Sequence, residues 1–173
     1  MNNHELLQPF KVFTVSSYRN LHAVRLFQRE LLLMVPHVEI LDWTHIAPPT
    51  SLTMQERMRR VIAGQDCLVP GKCEQFCHAA DLVVYYGDSG KDTALQVGMA
   101  RAIGTPVLGI PGPLEEVGLM LQHAVAAWVD SPQKAIDLIA SVTNCHQGRA
   151  ASRLTLCKMC HAERLCSLAG KKI

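Results

Sequence analysis

Short β-branched apolar runs alternate with helical patterns along most of this chain, and that alternation restricts its fold more than any other feature. Phe10–Val15 supplies Val12, Phe13 and Val15, which suit a buried strand. Residues 18–34 then place Leu21, Val24, Leu26, Leu31 and Leu32 among Arg25, Gln28, Arg29 and Glu30, a helical face that stops before Pro36. Residues 37–43 are expected to form a second strand. After the breaker Ala47-Pro48-Pro49-Thr50, residues 51–63 and 72–80 carry two further helical patterns. Leu82–Tyr86 is a strongly apolar third strand, Asp88-Ser89-Gly90 a turn, and residues 93–103 a helix closed by Gly104. Residues 105–110 give a fourth strand, 114–122 a helix and 124–129 a fifth strand. Ser131-Pro132 then supplies an N-cap and first-turn proline for a helix through about Val142. The pattern predicts an α/β fold: a doubly wound, flavodoxin-like or Rossmann-like five-stranded parallel sheet with helices on both faces.

With 173 residues, 49% of them hydrophobic, the chain can bury one core and is short for two ordinary domains. Composition changes at Asn144, giving an expected division into a nucleotide-binding α/β domain over 1–143 and a Cys-rich tail over 144–173. A net charge of +2 gives no general case for nucleic acid or an anionic membrane, so any anion site must be local. No apolar run approaches the roughly 20 residues that span a bilayer, and residues 1–8 are polar, without an export signal. A cytoplasmic protein is expected. Its seven cysteines, an odd number, favour thiols, a metal or a cluster over a disulfide framework.

Ligands of such sheets bind beyond the carboxyl ends of the strands, near the switch in strand order. The relevant loops are residues 16–20, 87–93 and 111–114. In the first, Ser16, Ser17 and Arg19 can bring hydroxyls, helix-terminal N–H groups and a guanidinium onto an anion such as a phosphate. The alternative is that Ser17 only caps the helix and Arg19 is a solvated first-turn residue. In the second, Ser89 and Gly90 precede a helix carrying Gln96 and Gly98, with Lys91 adding positive charge.

The stretch from Asp88-Ser-Gly-Lys-Asp-Thr to Gly104-Thr-Pro-Val107 resembles the segment of nucleoside 2-deoxyribosyltransferases in which a glycine-containing loop precedes a helix bearing a glutamate, then glycine and alanine, and a following strand. Ala80-Asp81 before the third strand also matches. Ser17-Tyr18-Arg19 resembles the first-strand loop of deoxynucleoside 5′-monophosphate N-glycosidases, where a serine and an arginine bind the 5′-phosphate, and Thr44-His45 is a weaker echo. The resemblance covers about residues 10–140. It implies a nucleoside or nucleoside monophosphate as ligand, no organic cofactor, and a homo-oligomer, because related enzymes complete their sites across subunits.

One departure bears on the chemistry. The family nucleophile is the helix glutamate before the glycine, and Gln96 stands there. A carboxylate attacks the anomeric carbon and forms a glycosyl ester; an amide can hydrogen-bond a ribose hydroxyl but cannot form that ester. Glu74 and Asp92 are nearby carboxylates, each with an ordinary surface or first-turn role as the alternative. Asp81 fits a turn, and Asp42 and His45 fit a structural hydrogen bond better than acid–base work.

Cys145, Cys157, Cys160 and Cys166 form C-x11-C-x2-C-x5-C, whose ending resembles the iron–sulfur loops of some DNA glycosylases and RecB-like nucleases. Four thiolates, with His146 or His161 as substitutes, suit zinc or an iron–sulfur cluster, and the alternative is reduced thiols. Cys157-Lys-Met-Cys160-His161 also matches the haem-attachment pattern, which an export signal would have to accompany. Cys67, Cys73 and Cys77 are expected to pack as small hydrophobes, and Met54, Met58 and Met99 to join the core. The expected function is therefore nucleoside or nucleoside monophosphate binding without the usual nucleophile. The alternatives are an active N-glycosidase or deoxyribosyltransferase and a metal or iron–sulfur interaction protein.

Overall fold

The computed structural model describes residues 8–46, 52–64, 68–88 and 90–146. Five strands, β1 (Phe10–Val15), β2 (Val38–Leu41), β3 (Leu82–Tyr86), β4 (Val107–Ile110) and β5 (Ala127–Trp128), form one sheet in the order β2-β1-β3-β4-β5. Every pairing is parallel, with Val12 opposite Ile40 on one side and Leu82 on the other. The order reverses at β1, which lies between β2 and β3, so a crevice opens where the connections leaving the carboxyl ends of β1 and β3 run to opposite faces of the sheet.

Alternation along the strands assigns the helices to their faces. Phe10, Val12, Leu82, Val84, Leu108 and Ile110 pack against α1 (Leu21–Met34) and α6 (Pro132–His146) through Phe27, Leu31, Ile136 and Ile139. Phe13, Val15, Val83, Tyr85 and Val107 face the other way. They meet α3 (Leu68–Ala79) and α4 (Lys91–Ala102) through Cys73, Cys77, Val97 and Ala100, while Val125 closes the end of α5 (Leu119–Ala124). The doubly wound α/β fold is as the alternation predicts. Among the described residues no helix is long and apolar enough to cross a membrane.

Several local expectations need correction. The second strand ends at Leu41 rather than Trp43, because the Asp42 carboxylate accepts the Thr44 N–H at 2.8 Å and turns the chain. A single 3-10 turn, Tyr18–Asn20, precedes α1. Helix α3 begins at Leu68, four residues ahead of expectation, since Pro70 and Gly71 lie in its first turn, where a missing N–H is tolerated. The helix expected over 114–122 is α5, Leu119–Ala124, because Glu115 accepts the Gly112 N–H at 3.0 Å and holds 112–115 as a turn. That turn leaves Leu114 97% exposed. α6 continues through His146, past the point where composition changes. Met54 and Met58 are 79% and 55% exposed on α2 (Met54–Ile62), which has no buried residue, so neither belongs to the core; Met99 packs against it.

Candidate functional site

The carboxyl ends of β1 and β3 are stitched together by the first loop. Ser16 Oγ donates to Tyr86 O at 2.5 Å and accepts from Asn20 Nδ2 at 3.1 Å, so this hydroxyl fastens the crevice wall. Asn20 in turn explains Gly87: at φ 65° a side chain is strained, and a Cβ there would lie 2.9 Å from Asn20 Nδ2. Ser17 adopts the capping role, its Oγ accepting the Arg19 N–H at 3.3 Å. Tyr18 is set by edge-to-face packing on Trp43, centroids 5.3 Å apart, and Trp43 is anchored by its indole N–H donating to Thr14 O at 2.7 Å. Arg25 of α1 steadies the same corner, its guanidinium donating to Thr44 Oγ1 at 3.2 Å and Thr44 O at 3.0 Å.

On the other side, Gly90 is the N-cap of α4 and, having no side chain, makes no capping hydrogen bond to the first-turn N–H groups of that helix. Thr93 is buried beneath them. The third loop closes against the second at Gly112, where a Cβ would come within 2.4 Å of Asp88 Oδ1. Glu115 braces this contact, accepting from Gly112 N and from the Tyr85 hydroxyl.

Two adjoining spaces open here. A cavity of about 550 Å³ has apolar walls from Val61 of α2, Val69 and Pro70 of α3, and Leu95 and Met99 of α4; Arg57, Glu74, Asp92 and Gln96 supply its polar groups. That volume lies in the range of small-molecule sites. A recess of about 70 Å³ lies at the strand ends, lined by Ser16, Ser17, Trp43, Gly90 and Thr93, and holds on the order of two waters. Tyr18, Cys73, Asp92 and Gln96 border both spaces. Burial, and then the negative charge of Asp92, push the Cys73 thiol up to about 11. Burial similarly pushes Cys77 up to about 12, with Cys73 and Glu74 adding to it, and the two cysteines pack as the small hydrophobes expected.

Of the residues singled out from sequence, Ser16, Ser17, Gly90 and Gln96 come together at these spaces. Arg19 is exposed and borders neither. Ser89 lies outside the described residues, as do Cys67, Cys157, Cys160, Cys166 and the side chain of Cys145, and with them the expected metal or cluster site. Among the described residues no group of His, Cys, Asp or Glu is placed to hold a metal ion. Asp81 sits at the opposite end of the strands, where its carboxylate accepts the Lys11 N–H at 2.9 Å. Asp42 Oδ2 lies 3.1 Å from His45 Nε2 on the surface. Sequence reasoning missed Arg57, Val61, Val69, Pro70, Leu95 and the cavity role of Cys73; the only sequence signal for α2 was its amphipathic pattern, which reads equally as a core face.

No protein-family model matches the chain, and no curated protein matches it. Among solved structures, the 2-deoxyribosyltransferase of the psychrotolerant bacterium Bacillus psychrosaccharolyticus is 17% identical, with a TM-score of 0.46 over 73% of this chain and 90% of that one. A conserved protein from Enterococcus faecalis V583 is 13% identical, with a TM-score of 0.50 over 75% of this chain and 96% of that one. At these identities the likeness is one of fold, shared by three quarters of this chain with nearly the whole of the Enterococcus faecalis protein.

Proposed function

We propose that the α/β domain binds a nucleoside, and in its fuller form a nucleoside 5′-monophosphate, across the two adjoining spaces. The observation that carries this reading is their inequality. A recess of about 70 Å³ cannot admit a purine or pyrimidine ring, whereas the cavity of about 550 Å³ can, and its apolar walls suit a base. The base then occupies the large cavity, the sugar spans the boundary beside Gln96, and the 5′ end points into the recess. There Ser17 and the start of α4 face it, an arrangement suited to phosphate oxygens. Arg19 follows Ser17 by two residues and its long side chain can fold over the mouth. The resemblance of residues 88–107 to 2-deoxyribosyltransferases and of Ser17-Tyr18-Arg19 to nucleoside monophosphate N-glycosidases supports the same ligand class. Gln96, an amide, serves recognition of a sugar hydroxyl rather than ester formation.

A second reading, an unphosphorylated nucleoside, is favoured by one observation: Glu74 and Asp92 both border the large cavity while Arg19 borders neither space. Calorimetric titration with nucleosides and their 5′-monophosphates separates the two. The first reading requires tighter binding of the monophosphate and a loss of roughly tenfold in its affinity for Arg19→Ala, from a charge-assisted contact of about 1.5–3 kcal/mol. Equal affinity for both forms assigns the site to nucleosides, and binding of neither refutes the assignment.

A further inference from the structure

We infer that the base of the ligand carries a bulky apolar group, an alkyl or aryl substituent on its exocyclic amine, and that this group fills the large cavity beyond the base. The inference rests on the seat proposed above and names the class of base that the seat takes.

Size is the first observation. With the sugar at the boundary and the 5′ end in the recess, the cavity of about 550 Å³ has only the base left to hold. Sites of roughly 300–1,000 Å³ enclose whole drug-sized molecules, so one flat heterocycle leaves much of this space unfilled. Water is a poor filler against Val61, Val69, Pro70, Leu95 and Met99, whose side chains offer it no hydrogen bond.

The placing of the charges is the second. Asp92 and Gln96 also border the recess and therefore lie at the sugar end. Away from the recess, only Arg57 and Glu74 bring charge to the cavity wall. Val61 follows Arg57 by one turn on the same side of α2, and Pro70 precedes Glu74 by one turn on the same side of α3. Each charge thus has apolar surface beside it. A secondary exocyclic amine matches that pairing: its single N–H donates to the Glu74 carboxylate, Arg57 donates to the adjacent ring nitrogen, and the substituent lies along the apolar walls. A primary amine would turn its second N–H toward those walls, where the side chains accept nothing.

Exposure is the third. Val61 and Leu95 line the cavity from different helices, yet they are 64% and 65% exposed. Neither is needed by the core, since α2 buries no residue and Leu95 is outside both core clusters. Two such side chains at one cavity mark apolar surface that a ligand can cover.

Calorimetry on the full-length protein tests this with adenosine 5′-monophosphate, N6-benzyladenosine 5′-monophosphate and the two corresponding nucleosides. In whichever form binds, the benzyl compound is expected to bind about tenfold or more tighter than its parent, the gain from burying an aromatic ring. Leu95→Ser, at an exposed position, should cut that advantage to below about threefold; Val61→Ser gives a second reading from the opposite wall should the first variant fold poorly. Equal or weaker binding of the benzyl compound by the wild type overturns the inference. So does an advantage that survives substitution at both positions, which would place the ring outside the cavity. Binding of none of the four compounds refutes the seat itself, a failure distinct from binding of the parent with no gain from the substituent.

Discussion

Two glycines on β4 and just beyond it decide how closely the site loops can pack. A Cβ on Gly109 would sit 2.4 Å from Trp128 Cε3 and 2.5 Å from Cζ3, and that rigid ring is itself packed edge-on against Tyr85 with centroids 5.7 Å apart. Gly109→Ala must therefore push the β5 strand outward, and the overpacking should cost about 1–3 kcal/mol. At Gly112 the nearest atom is the Asp88 carboxylate, which can swing aside, although the Asp88 backbone N at 3.2 Å also resists. Gly112→Ala should cost less global stability yet part the second and third loops and weaken ligand binding. Urea titration beside calorimetry checks both; a Gly109→Ala protein with an unchanged midpoint would show that Trp128 moves freely and that the β4–β5 edge is soft.

At the scale of elements, α2 separates what this sequence displays from what it hides. Its helical pattern was readable, although the helix begins at Met54 rather than 51, where Thr53 Oγ1 accepts the Glu56 N–H at 3.3 Å while the Glu56 carboxylate accepts the Thr53 N–H at 2.8 Å, a capping box. Its destination was not. Apolar residues at 54, 58, 61 and 62 mark one side of a helix but cannot say whether that side meets core, solvent or ligand, and here they are exposed apart from the contribution of Val61 to the cavity. Strands β1 and β3 were legible to the residue, because strands packed on both faces are rich in buried β-branched and aromatic side chains, Lys11 and Thr14 being the polar residues of β1. The fifth strand, two residues long, was not, since its limits follow from the Glu115 turn and the packing of Trp128 rather than from any local pattern. Because α2 buries nothing in the core, Thr53→Ala, a loss of about 1 kcal/mol of helix stability, should leave the thermal midpoint in place and show instead as up to fivefold weaker ligand binding through Arg57 and Val61. A shifted midpoint with unchanged affinity would place α2 in the core and outside the site.

Across the whole molecule, the sheet divides two cores with different duties. One face, closed by α1 and α6, has no part in either ligand space; the other, closed by α3 and α4, forms their common wall through Cys73, Asp92 and Gln96. That division could not be read along the chain. The site residues from Ser16 to Met99 are scattered over three loops and three α-helices, and only the doubly wound order, with its reversal at β1, gathers them at the carboxyl ends of the central strands. Ligand binding should consequently be felt on one side. In hydrogen exchange without ligand, the amides of β1 and β3, central and paired on both sides, should be the slowest, and those of α2 among the fastest described. Saturation with a bound nucleotide stabilises only states that keep the cavity intact, by about 2.7 kcal/mol at a hundredfold excess over Kd. Added protection should therefore concentrate in residues 16–20, α2, α3 and the first turns of α4. Openings of α1 and α6 that leave the cavity whole should keep their rates. Equal protection of both faces would mean that the two cores open as one unit and that the sheet transmits ligand binding from one side to the other.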